Sequence, residues 1–198
     1  IAIDGPAGSG KSTLAKMIAE KLHLTFMNTG SFYRALALAI LRSLGGGVDG
    51  SGGSAPDTSE EERWATFAEK VSLFYKNGNI YLGEENVEPY LRSDAVEAVV
   101  APLSAIVPIR RILNKKIRSE AEKTGAVCEG RDMTTAVFPD ADYKFYLDAS
   151  ADARARRRFE QGTSKLSFDE IKKTIIERDE VDKNKKEGGL KIAPDAVY

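Results

Sequence analysis

The residue types and their spacing near the start of the chain match a loop that binds phosphate groups. Every fixed position of the pattern G-x-x-x-x-G-K-[ST] is present from Gly5 to Ser12. Glycines let backbone N–H groups turn toward phosphate oxygens, Lys11 can reach the outer phosphates, and the Ser12 hydroxyl can bind Mg²⁺. A simple turn before a helix needs neither the lysine nor the serine, so the pattern predicts a site for a nucleoside triphosphate and Mg²⁺. The candidate nucleotide-binding residues are Gly5, Pro6, Ala7, Gly8, Ser9, Gly10, Lys11, Ser12 and Thr13.

Phosphoryl transfer also requires positive charge around the moving group, so cations from several segments are expected to converge. The candidates are Arg34, Arg111, Arg131, Arg154, Arg157, Arg158, Arg178 and Lys185. Most of these would individually be solvated surface charges. Arg131 is the exception, because it follows a predicted strand beside Asp132, where open α/β sheets bind ligands. The spacing of Arg154, Arg157 and Arg158 predicts one shared helix face. We take Lys11, Arg131, Arg157 and Arg158 as the catalytic candidates.

Two acidic residues end predicted strands and are candidates to orient the ligands of Mg²⁺. These are Glu129 and Asp148, and Glu129 is favoured because it lies close to Arg131 in sequence. The predicted metal set is therefore Ser12 with Glu129. Cys128 is expected to be a buried apolar residue, and His23 lacks a second His or Cys for a metal site, so neither receives a role.

The elements that position these residues alternate between strand and helix, which predicts a parallel sheet. Residues 1–3 form a predicted strand, 13–22 a helix, 24–27 a strand and 31–44 a helix. Later, 126–129 and 143–147 are predicted strands, Pro108 opens a helix, and Ser150 and Ser167 begin two more. The fold class is therefore α/β, a three-layer P-loop arrangement with a parallel sheet of about five strands.

The middle of the chain differs from this rhythm. Residues 45–56 are rich in glycine and are predicted to be a flexible linker that holds no single conformation. Residues 57–102 form a small mixed α/β insert, in which Ser59 and Glu62 predict a capping box for a helix to about Lys70. Two predicted strands flank a hairpin turn at Asn77-Gly78. Residues 87–91 are a candidate third strand, and Ser93 is predicted to cap a short helix. The core of the fold then comprises 1–44 and 103–198.

The composition excludes several classes of protein. With 42% hydrophobic and 30% charged residues and a net charge of -1, the chain lacks the basic field on which non-specific nucleic-acid binding relies. A single cysteine excludes an internal disulfide, and the sequence shows neither a signal peptide nor a membrane-length apolar run. We therefore expect a cytoplasmic, monomeric protein that binds neither nucleic acid nor a membrane. Both ends of the sequence resemble interrupted strands, so short flanking segments are expected.

The motifs together resemble those of the bacterial cytidylate kinases, and the resemblance covers nearly the whole chain. It is carried by the phosphate loop, 28–30 with Tyr33-Arg34, 130–133 with 137–141, 154–158, and 177–179 with Asp182. The hairpin insert and the segment 130–141 separate this family from other nucleoside monophosphate kinases. The resemblance implies transfer of the γ-phosphoryl group of ATP to CMP or dCMP. It also implies that the insert 57–102 forms part of the monophosphate-binding region and that an arginine-rich lid lies at about 157–190 of the kinase core.

The resemblance also implies roles for individual residues. Arg34 and Arg131 would hold the acceptor phosphate, and Thr29 and Tyr33 would line its site. Arg111 and Asp132 would read cytosine, while Arg178 and Asp182 would meet the sugar. Lys185 stands where the family usually has a lid arginine, and a lysine cannot make a bidentate phosphate contact. Ala101-Pro102 replaces an expected serine, for which Ser104 is a substitute, and Gly188-Gly189 precedes a leucine that usually follows proline.

Three alternatives stay open at this point. A kinase of the same fold for another small acceptor, such as UMP, would be separated by a panel of acceptors. A GTPase switch is faintly suggested by 184–187, but that run follows a charged helix, and no D-x-x-G follows a strand. An ATP-binding module without turnover is the third alternative.

Overall fold

A computed structural model describes residues 1–76, 78–162 and 166–198. The strands are β1 Ala2–Asp4, β2 Thr25–Asn28, β3 Leu73–Lys76, β4 Asn79–Leu82, β5 Glu85–Asn86, β6 Ala126–Glu129 and β7 Lys144–Tyr146. The helices are α1 Lys11–Leu22, α2 Gly30–Ser43, α3 Glu61–Lys70, α4 Asp94–Leu103, α5 Val107–Glu122, α6 Ala151–Glu160 and α7 Phe168–Lys183. A 3₁₀ turn covers Glu88–Tyr90, and a π-helical turn covers Met133–Val137. No helix in the described ranges is long and apolar enough to cross a membrane.

The chain divides into two compact units, of which the first comprises 1–26 and 126–198. The main sheet has the order β2-β6-β1-β7, and β1 pairs in parallel with both β6 and β7. Ile3 and Val127 are fully buried with Ala15 and Ala19 of α1, so the helix that follows the phosphate loop packs on the sheet. The predicted α/β class is confirmed. The predicted count of about five strands is wrong, because the described residues form a main sheet of four strands. Val197 makes only an isolated bridge to Phe145 beside this sheet.

Two helices of this unit pack against each other through an apolar seam. Ala155 of α6 is buried against Ile171 and Ile175 of α7. The Ser150 side chain caps α6, and Ser167 forms a full capping box with Glu170 at the start of α7. Both predicted caps are therefore confirmed.

The second unit, residues 27–125, is built around α2, whose middle turns are almost wholly buried. The antiparallel hairpin of β3 and β4 is confirmed, and Gly78 in its turn has a φ of 76°, whereas Asn77 lies outside the described residues. The candidate third strand at 87–91 is wrong. The strand is instead β5, and Pro89 lies in the 3₁₀ turn that follows, since proline cannot donate to a sheet ladder. The predicted insert 57–102 lies within this unit.

The predicted capping box at Ser59 is also wrong. Helix α3 begins at Glu61 without a side-chain cap, and both the backbone N–H and the hydroxyl of Ser59 donate to Asp57 Oδ1, at 2.9 and 2.7 Å. A local turn around the aspartate therefore competes with the cap for the serine. Trp64 of this helix is buried, and its indole N–H donates to the Asp57 carbonyl at 2.7 Å.

The glycine-rich segment 45–56 differs from the expected flexible linker. Its backbone N–H groups at Gly46 and Ser54 donate to carbonyls of Leu41 and Leu44 at the end of α2, at 2.9 and 3.4 Å. Asp49 contributes a further bond, because its carbonyl accepts the Ser93 hydroxyl at 2.8 Å. The segment thus has a turn-rich conformation that satisfies the carbonyls at a helix C-terminus, which composition alone does not reveal.

Candidate nucleotide-binding site

The loop between β1 and α1 has the backbone of a phosphate-binding loop. Gly5, Gly8 and Gly10 have φ values of 145°, 76° and 102°, which L side chains rarely adopt. A Cβ placed on Gly5 would lie 2.0 Å from the Leu147 carbonyl oxygen, so only glycine fits there. Helix α1 starts at Lys11, and its N-terminus adds the positive end of a helix dipole to this loop.

Cationic side chains hold the carbonyl groups of this loop from outside. Arg131 donates to the Gly5 carbonyl at 3.3 Å, and Arg154 donates to the Ala7 carbonyl at 3.2 Å. Arg157 bonds the next two carbonyls, those of residues 8 and 9, at 3.2 and 3.1 Å. Because these carbonyls are fixed, the opposite, N–H side of the peptide groups is oriented for an anion.

Lys11 is only 4% exposed, although it is a lysine. It donates to the Pro6 carbonyl at 2.7 Å. Burial, with the nearby positive charge of Arg131 as a second cause, lowers the pKa of Lys11 from 10.5 to about 7. A phosphate group placed here would restore the charged form, so the lysine is matched to an anionic ligand.

The predicted metal pair is brought together. The Ser12 hydroxyl donates to Glu129 Oε1 at 2.7 Å, and Glu129 is buried at the end of β6, whereas Asp148 is exposed. Oxygen donors of this kind suit Mg²⁺, which keeps several waters and takes one or two protein ligands beside substrate phosphates. Within the described residues, no cluster of three or more His, Cys, Asp or Glu side chains could hold a metal ion. The pair therefore fits a Mg²⁺ ion that arrives with a nucleotide.

Two buried acidic residues of α7 pair with arginines that contact the phosphate loop. The Asp179 carboxylate accepts hydrogen bonds from the two terminal guanidinium nitrogens of Arg154, at 3.1 and 2.5 Å. Asp182 accepts Arg131 at 2.9 Å and the Lys185 amine at 2.9 Å. Although burial alone would raise the pKa of Asp182, the charges of Arg131 and Lys185 lower it below its ordinary value.

The arginines of α6 do not behave alike. Arg154 is 4% exposed, so its description as a solvated charge is wrong, and the buried Asp179 is the reason. Arg157 is exposed yet bonded to the loop, and Arg158 is exposed. Arg178 of α7 is exposed as well.

Asp132 is 4% exposed, and its carbonyl accepts the N–H groups of residues 136 and 137 in the π-helical turn.

The second unit carries the remaining predicted acceptor residues. Arg34 donates through one guanidinium nitrogen to the Leu91 carbonyl at 3.5 Å and forms an ion pair with Glu97. The Tyr33 hydroxyl donates to Asn114 Oδ1 at 3.3 Å. Thr29 is 2% exposed and precedes α2.

The neighbouring residues Arg110 and Arg111 of α5 have different environments. Arg111 is exposed, whereas Arg110 is 4% exposed, donates to the Ser104 carbonyl at 3.0 Å and lies 5.5 Å from the centre of the Tyr33 ring. The burial of Arg110 agrees with the helical period, because it lies three positions before the buried Leu113.

Comparison with known proteins agrees with this geometry. The family model described as cytidylate kinase matches residues 1–198. A cytidylate kinase of Thermodesulfovibrio yellowstonii is 40% identical over 201 residues, covering 100% of this chain and 88% of that protein. Those of Clostridioides difficile and Caldanaerobacter subterraneus are 36% and 38% identical and cover 100% of this chain, with 88% and 84% of their own lengths matched. The chain therefore belongs to the cytidylate kinase family.

Proposed function

We propose that this protein transfers the γ-phosphoryl group of ATP to CMP or dCMP, giving ADP with CDP or dCDP. The observation that carries the proposal is the family match over all 198 residues. The phosphate loop supports the same reaction independently, since its glycine backbone, the buried Lys11 and the Ser12–Glu129 pair suit a nucleoside triphosphate.

Phosphoryl transfer requires the protein to position the two substrates and to supply positive charge. The acceptor oxygen belongs to a phosphate that is already an anion, so no general base is needed. Lys11 and Arg131 would stabilise the charge that spreads over the transferred group, with Arg157 and Arg158 assisting from α6. We propose that residues 157–190 act as a lid that excludes water, which would otherwise accept the phosphoryl group. Arg157 already contacts the loop, which supports a role close to the phosphates.

A Mg²⁺ ion would neutralise part of the phosphate charge during transfer. Ser12 and Glu129 are the residues that would hold it, directly or through water. The short hydrogen bond between their side chains supports this assignment.

For the acceptor, we propose that Arg34 and Arg131 bind the phosphate beside Thr29 and Tyr33. Asp132 would read cytosine, because a carboxylate accepts from the exocyclic amine of cytosine and opposes the carbonyl of uracil. Arg111 would read the base with it, as the family resemblance implies.

Three further residues complete this set. Arg178 and Asp182 would meet the sugar, and Lys185 would take the place of the lid arginine. The ion pairs that Asp182 makes with Arg131 and Lys185 support grouping these side chains. The monomeric state, the cytoplasmic location and the division into core, insert and lid stay predictions.

The test is a coupled assay of ADP formation with the common ribo- and deoxyribonucleoside monophosphates. CMP and dCMP should give the highest kcat/KM. A preference for UMP or AMP, or no turnover with any acceptor, would overturn the proposal.

The Asp132→Asn variant sharpens this experiment, with Asp142→Asn, at an exposed position, as the control. The variant should move the CMP-to-UMP ratio of kcat/KM toward UMP by roughly ten- to a hundredfold, as expected for one base-edge contact. An equal loss with both acceptors would show that Asp132 does not read the base.

A further inference from the structure

The carboxylate of Asp4 makes three hydrogen bonds inside the first unit, and none of the site assignments uses it. Its side chain is fully buried at the end of β1. Oδ1 accepts the Met133 N–H at 2.7 Å. Oδ2 accepts the Thr134 N–H at 2.7 Å and the Thr134 hydroxyl at 2.6 Å. A buried carboxylate is costly unless it is well bonded, and here both oxygens have donors.

The two sides of this contact have different functions. Asp4 is followed at once by Gly5, the first residue of the phosphate loop. Met133 and Thr134 come directly after Arg131 and Asp132, which the proposed function assigns to the acceptor. The carboxylate therefore joins the start of the ATP loop to the start of the π-helical turn that follows the acceptor-binding pair.

Asp4 is itself held firmly. Its carbonyl accepts the Leu147 N–H at 2.8 Å, and its backbone is paired with β7 in the main sheet. Only a side chain with two acceptor oxygens satisfies the three donors, because an amide would turn one of its N–H groups toward a backbone N–H. Burial raises the pKa of Asp4, while the bonds from Thr134 and Met133 act in the opposite direction.

We propose that Asp4 is a positioning residue that acts through residues 133 and 134 to fix Arg131 and Asp132 beside the phosphate loop. It would thereby set acceptor binding and base discrimination without touching either substrate. This inference rests on the proposed acceptor roles of Arg131 and Asp132. If Asp4 served only the stability of the sheet, its loss would lower the midpoint of unfolding without changing acceptor selectivity.

The test uses Thr134→Val, which removes the hydroxyl bond and keeps both backbone bonds, with Thr134→Ser as the conservative variant. Thr124→Val, at an exposed threonine of the second unit, is the control for the substitution itself. For each protein we would measure KM for CMP, KM for ATP, kcat and the CMP-to-UMP ratio of kcat/KM. Thermal unfolding is followed in parallel.

We expect Thr134→Val to raise KM for CMP about tenfold, as for loss of one hydrogen bond to a charged group. KM for ATP should stay within about twofold, and Thr134→Ser should restore wild-type values, because its hydroxyl can make the same bond. Asp4→Asn should lower kcat/KM for CMP further and move the CMP-to-UMP ratio toward UMP. Should Asp4→Asn fail to fold, the valine and serine variants carry the test alone.

An unchanged KM for CMP in Thr134→Val, or an equal rise in the KM values for CMP and ATP, would overturn the inference. The proposed function fails separately. If wild-type protein does not prefer CMP, or if Asp132→Asn leaves the CMP-to-UMP ratio unchanged, the acceptor assignment is wrong whatever Thr134→Val does.

Discussion

The two glycine-rich segments, 5–10 and 45–53, both contain glycines with positive φ and glycines that allow close approach, but different groups lie around them. In the first, positive φ values at Gly5, Gly8 and Gly10 turn the backbone around a phosphate site. In the second, Gly45, Gly50 and Gly52 also have positive φ values, and the tightest contacts occur at Gly46 and Gly53. A Cβ on either residue would lie 2.8 or 2.7 Å from the Leu41 carbonyl oxygen. Glycine there permits close approach to the end of α2.

The side chains around the two segments differ in their chemistry. Beside the first stand a lysine, a serine and a carboxylate that can act on a ligand. The second is held by Arg42, which donates to the Val48 carbonyl at 2.8 Å and pairs with Glu85 at 2.7 Å, and by Ser93. Glycine content therefore indicates neither mobility nor function by itself, and the chemistry of the flanking residues separates a binding loop from a structural one.

The largest difference between the loops should appear with Lys11→Met. We expect kcat to fall by about a hundredfold or more, because Lys11 stabilises the transferred group, while the fold stays intact. The control is Lys21→Met at the exposed end of α1, which should retain wild-type kcat. Steady-state kinetics and thermal unfolding provide the two readouts. Retention of more than about a tenth of kcat would contradict the catalytic role.

The second loop should respond in stability instead. Gly53→Ala should lower the free energy of unfolding by about 2 kcal/mol, because the new Cβ overlaps a helix carbonyl. Gly47→Ala is the matched control, since its nearest atom would lie 3.6 Å away. The kcat of folded protein should not change in either variant. Urea unfolding with equal m values measures the effect, and identical midpoints would support the flexible linker predicted from composition.

The titration of Lys11 in the first loop should make ATP affinity depend on pH, whereas the second loop should contribute nothing to this dependence. Since the pKa of Lys11 is about 7 and a bound triphosphate raises it, ATP binding at pH 8 should take up a proton. Affinity should then weaken by up to about tenfold for each pH unit above 7, with no proton uptake below about pH 6. Hydrogen bonds from Ser51 lower the pKa of Asp49 in the second loop, so that side chain stays charged throughout.

Calorimetry in two buffers with different heats of ionisation gives the number of protons taken up. Lys11→Met should abolish the uptake. If the variant still takes up a proton at pH 8, another group is responsible for the pH dependence.

The smallest effect is expected at Ser93. Its hydroxyl donates to the Asp49 carbonyl and accepts the Val96 N–H at the start of α4, at 3.4 Å. Ser93→Ala should lower the free energy of unfolding by about 1 kcal/mol, a typical cost for a lost helix cap. Ser54→Ala, at an exposed serine of the same loop, should cost nothing measurable. Equal stability of the two variants would show that the contact with Asp49 contributes little.

The sequence predicted those parts of the fold that depend on local signals. The phosphate loop and the caps at Ser93, Ser150 and Ser167 follow from residue types within a few positions. The cap at Ser59 failed although its pattern was complete, because Asp57 offers the serine a nearer acceptor. Local competition of this kind depends on backbone geometry that a pattern does not contain.

The site was predictable where a strand end fixed the position, as for Glu129. It was not predictable where a distant partner decides burial. Arg154 is buried because Asp179, 25 positions later, accepts its guanidinium group. The difference in burial between Arg110 and Arg111 arises because one step along a helix turns a side chain by about 100°.

Cys128, the one cysteine in the sequence, lies in β6 and is 2% exposed. Burial raises the pKa of its thiol to about 12, so almost no thiolate exists at neutral pH. The folded chain should therefore resist alkylation, and the rate of labelling by iodoacetamide should report how often the central sheet opens. Ligands that bind only the folded form should slow that labelling in proportion to their saturation. The protein thus contains a natural thiol probe for ATP and CMP binding that requires neither turnover nor an added label on the active site.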